Sequence, residues 1–518
     1  MKKIFTVLAA GLMMSAQVMA VTVNDVCGQF DGDLNIGGMP YPNKSVYLLP
    51  GTVENAVTFV LPDFTFGSKG KLGNIVLANI PMSANGQLTL EGATLYLDSI
   101  SERATINVLN NLDDGTTTYN SIISNSDAMV VLSISAPSLL EPIYVLFSGK
   151  AVRNNNYALV NGGFEGAWTN NEPAGWHSFA TATGDLASMV QGNTYQFVPS
   201  TDVRPGTTGA QSALISSEMI VGQKANGNCT NGQINAGSMT PNDVAGNYNF
   251  SDPKNTGFNT PFQGRPDSIV FWAKYMPADK NPNNEVNKAR VSAIITTNAR
   301  YQDPEHPDSV YTDMKIAAAV MNYSATAEMG WQRISVPFAY YPNNLDKEPA
   351  YILTTFTTNQ IPGGGSSYNA GGSIFNPINV VDTVYLDDVE LVYNKRLTML
   401  VWGSEVLSLD GSKFAINTTY CDSCASFSGL TNGISSQYFV AYDGAHKCAY
   451  VYVIADDFAQ NGAYSIYRVE FTDSEGGYIQ GIENTAAREG RFEKVLHNGQ
   501  LYIRSNDAWY NAAGMRVK

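Results

Sequence analysis

Val57-Thr58-Phe59-Val60-Leu61-Pro62-Asp63-Phe64 is apolar at every second position from Val57 to Leu61, which is the period of a strand with one face on a core. The same period recurs on both sides of it, with Gly, Pro, Asn and Asp between the repeats. The runs cover 29–36, 45–49, 56–64, 75–79, 86–97, 104–109, 129–135 and 143–148. Eight short strands within about 130 residues can close into an up-and-down barrel, which removes exposed sheet edges and can leave room for one small ligand.

The whole composition agrees with strands and turns. Of 518 residues only 15% are charged, against 44% hydrophobic and 11% aromatic, with 46 Gly and 23 Pro. Helices draw on Glu, Lys, Arg and Ala, so this balance disfavours them. The formal charge of -15 excludes a nucleic-acid binder, which needs a basic surface to neutralise phosphates. The hydrophobic fraction excludes a disordered chain.

Residues 1–20 read as a signal peptide. Lys2 and Lys3 precede an apolar run, 4–14, and Val18-Met19-Ala20 supplies the small residues of a cleavage site. No later stretch has the roughly 20 apolar residues of a membrane span. An exported chain, at the cell surface or beyond it, is expected.

Phe30-Asp31-Gly32-Asp33-Leu34, the stretch 57–64 and Leu72-Gly73-Asn74-Ile75-Val76-Leu77 resemble the calycin-like domain of exported Bacteroidetes proteins over residues 21–155. The resemblance implies a β-barrel; a barrel filled by its own side chains fits the same residues.

After the polar stretch Arg153-Asn154-Asn155-Asn156 comes Leu159-Val160-Asn161-Gly162-Gly163-Phe164-Glu165, followed by Pro173-Ala174-Gly175-Trp176. Its downstream partner is Val384-Tyr385-Leu386-Asp387-Asp388-Val389-Glu390-Leu391. Between them lie Ser268-Ile269-Val270-Phe271-Trp272-Ala273-Lys274-Tyr275, Gly330-Trp331-Gln332-Arg333-Ile334 and Ala350-Tyr351-Ile352-Leu353. In this order they resemble the carbohydrate metabolism domain of secreted Bacteroidetes proteins, a jelly roll like those of carbohydrate-binding modules, over 156–395. The resemblance implies a structural calcium where first and last strands meet, carried here onto Glu165 and Asp388, with Asp387 as the alternate. Hard oxygen ligands of this kind suit Ca2+.

Sugar recognition draws on flat aromatic faces with polar neighbours. Trp168, Trp272, Tyr275, Tyr340 and Tyr341 are the candidates for a polysaccharide or oligosaccharide partner. Trp272 and Lys274 alternate with Phe271 and Ala273, so one of these pairs faces outward. Trp176 and Trp331 read as core.

Catalytic signatures are missing from the sequence: no Gly-x-Ser-x-Gly, no phosphate loop and no His-Glu-x-x-His. The cluster Asp303, Glu305, His306, Asp308 could hide the carboxylate pair of a glycosidase, but it also reads as a solvated acidic loop.

From residue 396 to 475 a further set of alternating runs reads as a small Ig-like sandwich. Here Cys421-x-x-Cys424 and His446-x-Cys448 offer donors for zinc. Export favours a disulfide instead, joining Cys448 to Cys421 or Cys424, or these two to each other. Residues 476–518 form a tail in which Asn498-Gly499 separates two alternating runs, a strong hairpin signal. The tail resembles the sorting or anchoring tails of secreted Bacteroidetes proteins.

An all-β protein is therefore expected: calycin-like β-barrel, jelly-roll sandwich, small Ig-like sandwich and hairpin tail. The expected function is non-catalytic glycan capture outside the cell. The alternatives are a glycosidase-like hydrolase and a structural or adhesion component of the surface.

Overall fold

The protein is described by a computed structural model, which covers residues 21–518 apart from 67–69, 98–101, 155, 193–195, 221–222, 279–287, 361–380, 408–413, 417, 445, 472–491, 498–499, 506–507 and 512–518. Residues 1–20, the expected signal peptide, lie outside the described residues. The fold is almost wholly β, and the chain divides into two compact units. One comprises Met1–Asn154 with Lys395–Lys518, the other Asn155–Asn394. Among the described residues no helix is long and apolar enough to cross a membrane.

In the first unit, antiparallel strands run in the order Gly70–Pro81, Ala56–Phe66, Met39–Pro50, Gly28–Ile36, Ile143–Ala151, Asp127–Ser135, Glu102–Val108 and Leu90–Leu97. They curl into a nearly closed barrel. Its interior holds Phe30, Val57, Phe59, Leu61, Ile106, Val130 and Phe147, all buried, so the chain's own side chains fill it. Each fully buried Phe or Val contributes about 1.5–3 kcal/mol.

A small sandwich follows. The strands Leu397–Trp402, Glu405–Val406 and Phe427–Thr431 form one sheet, and Phe414–Ile416, Tyr464–Phe471, Cys448–Ile454 and Gln437–Asp443 form the other. Phe414–Ile416 pairs in parallel with Tyr464–Phe471, and the other pairings of these two sheets are antiparallel. The larger sheet is covered on both faces. Ala449, Val451 and Val453 face the sandwich core with Leu400 and Val469. Tyr452 and Ile454 face the other way, packing with Phe439 and Tyr464 against Leu49, Val60 and Val76 on the outside of the barrel. Two-sided burial explains why Cys448–Ile454 is a continuous apolar run rather than an alternating one. It also explains why Val60, on the outward phase of its strand, is as apolar as Val57 and Phe59. In the tail, His497 pairs with Gln500 across Asn498-Gly499, as the hairpin signal predicts.

The second unit is a sandwich of two five-stranded antiparallel sheets. One runs Phe197–Ser200, Ser212–Ser216, Thr383–Val392, Ser268–Met276, Gln332–Pro337; the other runs Asn228–Thr230, Tyr351–Thr357, Ala289–Thr296, Lys315–Tyr323, Ala339–Tyr340. Trp176, Phe164, Phe271, Phe356 and Val291 fill the space between them. A third sheet, Gln233–Ala236, Asn247–Ser251 and Tyr301–Asp303, stands beside them.

Candidate functional site

Strand alternation places the expected sugar-binding aromatics individually. Ser268–Met276 sends Phe271, Ala273 and Tyr275 inward and Trp272 and Lys274 outward. Tyr275 is 1% exposed and belongs to the core; burial holds its phenol far above the ordinary range. Trp272 does face outward, with the Arg204 guanidinium 5.3 Å from its ring centre. Trp168 is half-buried, its ring tilted against Phe197 with centroids 4.8 Å apart, and donates its Nε1-H to the Phe164 carbonyl. Tyr340 donates its hydroxyl to the Pro266 carbonyl at 2.7 Å. Tyr341 lies under the Lys315 ammonium at 5.1 Å. The five are spread over the sandwich, each engaged by its own neighbours.

The expected calcium ligands do share one junction. A Cβ on Gly163 would lie 3.4 Å from Asp388 Oδ1 and 3.7 Å from Glu165 Cγ. Each carboxylate has a different partner, however. Glu165 Oε1 accepts the amides of Ala210 and Gln211 at 2.8 and 3.0 Å. Asp388 Oδ2 accepts from Arg204 Nε. Asp387 Oδ2 accepts the Arg204 amide at 3.1 Å, while its Oδ1 is buried with no protein partner. Burial first, and the charge of Asp388 as a smaller cause, push the Asp387 carboxyl up to about 6. Asp387 Oδ1 is thus the carboxylate oxygen of this junction that is both buried and unpartnered. Among the described residues no three His, Cys, Asp or Glu side chains are set together to hold a metal.

The acidic cluster is engaged too. Asp303 is held by both terminal nitrogens of Arg290 at 2.8 and 3.0 Å. Glu305 Oε1 accepts from Lys315 Nζ at 2.6 Å and from the Tyr301 hydroxyl at 3.1 Å. In the first unit, Cys421 and Cys424 are bridged to each other, and Cys448 is a buried thiol. His446 turns to Asp443, at 2.8 Å, rather than to a cysteine. Of the pairings the sequence left open, the structure has the local one, because Cys448 lies inside a sheet buried on both faces.

A recess lies elsewhere in the second unit. It holds about 80 Å³ between the third sheet, the 3-10 turn Phe179–Thr181 and the short helix Ala187–Val190. Glu172 sets that wall. Buried itself, it accepts from the Ser178 amide and hydroxyl and the Thr181 hydroxyl through Oε1, and pairs with His177 Nδ1 at 3.1 Å through Oε2. Gln191 then donates to the Ala182 carbonyl, tying the helix to the turn. Opposite, Asn247 donates to the carbonyls of Ser238 and Thr240 and fixes the rim.

Two kinds of surface meet inside. Leu186, Val190, Ile234 and Ala236 form an apolar wall that continues into a small core with Phe179 and Ala182. The same recess is lined by three asparagines, Asn226, Asn228 and Asn249, at 2%, 3% and 1% exposure, and Asn249 pairs across the sheet with Ile234 of that wall. Asn226 Nδ2, Asn228 Oδ1 and both polar atoms of Asn249 have no hydrogen-bond partner within the protein. An amide left unpaired when buried costs about 1–3 kcal/mol, so three around one recess call for water or ligand partners there. Among the described residues the lining contains no Asp, Glu, His, Lys or Arg. Sequence reasoning passed over these residues because it sought aromatic faces. The available signal was asparagine inside strands, at 228 and 249, where β propensity disfavours it.

No family model matches the chain, and no curated protein matches it. Among solved structures, a "putative glycoside hydrolase" from Bacteroides thetaiotaomicron aligns over 69% of this chain and 99% of its own, at 15% identity and a TM-score of 0.30. A "putative outer membrane protein" from Bacteroides fragilis aligns over 25% of this chain and 52% of its own, at 16% identity and a TM-score of 0.15. Likenesses this distant carry no argument about site or activity.

Proposed function

We propose that the protein is an exported, non-catalytic carbohydrate-binding protein, and that the recess walled by Asn226, Asn228 and Asn249 takes the sugar. The observation that carries this reading is the set of unpaired buried amides beside an apolar wall. Carboxamides suit hydroxyl-rich ligands, since each offers a donor and an acceptor. The ordered motifs that resemble a jelly-roll carbohydrate-binding module support the same class. Binding is favoured over hydrolysis at this recess because its lining has no carboxylate to act as acid, base or nucleophile.

Calcium at the first-and-last-strand junction is a further proposal, supported by Asp387 Oδ1 and opposed by Arg204, which already pairs with Asp388. A rise in melting temperature on adding calcium, reversed by a chelator and absent in Asp387→Asn, would support it. The proposal of function is tested by retention of the full chain on a panel of immobilised polysaccharides and oligosaccharides, with reducing-sugar release assayed in parallel. Retention without release is the expected result. Release that persists in Asn249→Ala would replace this reading with a hydrolase acting at another site.

A further inference from the structure

The two surfaces of the recess differ in what they demand of a ligand. The asparagine side presents a free donor at Asn226 Nδ2, a free acceptor at Asn228 Oδ1, and one of each at Asn249. Beside them Leu186, Val190, Ile234 and Ala236 are aliphatic, and Ile234 is the cross-strand partner of Asn249. A sugar bearing only hydroxyl groups would satisfy the amides but bring polar oxygens against the aliphatic wall, leaving them desolvated without partners. A 6-deoxy sugar supplies a methyl group but no amide. The lining carries no cation for a uronate or sulfate and no anion for an amino sugar.

An acetamido substituent meets both demands at once. Its N-H suits Asn228 Oδ1, its carbonyl suits Asn226 Nδ2, and its methyl group is the size and polarity the aliphatic wall accepts. Resting on the reading of the recess as a glycan site, we infer that its ligand is an N-acetylhexosamine unit, recognised through the acetamido group. Asn249, with donor and acceptor both available, then serves a neighbouring hydroxyl.

The test uses ligand pairs that differ only at C2, titrated calorimetrically into the full-length chain: di-N-acetylchitobiose against cellobiose, and N-acetylgalactosamine against galactose, with L-fucose as the methyl-bearing control. One buried methyl group and a matched amide predict at least about tenfold tighter binding of one or both acetamido members. Asn249→Ala should weaken that binding with no fall in melting temperature. Equal or tighter binding of the hexose or fucose ligands, still lost in Asn249→Ala, would overturn the acetamido inference while leaving the recess as a sugar site. No binding of any of these sugars, together with no retention on the wider glycan panel, would overturn both.

Discussion

The side-chain hydroxyl of Thr58, in the barrel, lies 3.3 Å from the phenolic oxygen of Tyr452, in the small sandwich, and both are fully buried although 394 residues separate them. Tyr452 passes its own proton to the Pro50 carbonyl at 3.2 Å, so Thr58 is the donor to Tyr452. The bond lies within the apolar layer of Leu49, Val60, Phe439 and Ile454. Burial, the largest cause, holds the Tyr452 phenol well above its ordinary pKa, with the Thr58 bond pulling weakly the other way.

Tyr452→Phe keeps the ring and its packing but orphans the Pro50 carbonyl and the Thr58 hydroxyl. A loss of about 1–3 kcal/mol in urea denaturation is expected. Adding Thr58→Val removes one orphan, so the double variant should be more stable than the two single losses added together. Strict additivity would mean the pair is not coupled.

Asn249→Ala removes an amide that has no partner inside the protein. Its cost to stability should be near zero, or a gain of up to about 1 kcal/mol, because a buried unpaired group disappears. Glycan binding should fall at the same time. A stability loss of several kcal/mol without a change in binding would make Asn249 a structural residue.

Asp387 carries a pH dependence whose sign is opposite to that of an ordinary ion-paired carboxylate. Its folded pKa is raised to about 6, above the ordinary value near 3.9, so the folded state favours the protonated form. Its contribution is fully present below about pH 4 and is lost as the pH rises through 6. Asp387→Asn mimics the protonated group. The variant should therefore gain about 1–2 kcal/mol on wild type between pH 4.5 and pH 7.5, after allowance for relaxation around Arg204. Denaturation curves at the two pH values measure this, and an unchanged difference would exclude the assigned cause.

The bridge between Cys421 and Cys424 can be separated from the alternatives by cleavage after lysine and arginine without reduction. Residues 414–447 contain both cysteines and no cleavage site, whereas Cys448 begins the next peptide. The expected fragments are 414–447, two mass units below its reduced form, and 448–468 with a free thiol. A cross-linked pair of these peptides would place the bond at Cys448.

The all-β class was legible because period-two alternation needs only one buried face, and the hairpin was legible at Asn498-Gly499. Tyr275, expected as a sugar contact, shares the inward phase of Phe271 and Ala273 and is core instead. The packing of Cys448–Ile454 was harder to read. A run buried on both faces loses its alternation, and the partner that covers Tyr452 lies hundreds of residues upstream. The recess escaped for a related reason. Its three amides come from 226, 228 and 249, and its aliphatic wall from 186, 190, 234 and 236, so that no local spacing announces it. The aromatics that did stand out, such as Trp168, went largely to packing because their area is worth most when buried.

Tyr393, near the end of the second unit, donates its hydroxyl to the carbonyl of Tyr157, near its beginning, at 2.8 Å. The entry and exit of this 240-residue unit are therefore adjacent, and the chain leaves the other unit at Asn154 only to rejoin it at Lys395. Because its two ends are tied together, such an inserted segment closes on itself, and the apolar layer shared by the barrel and the small sandwich contains no residue of it.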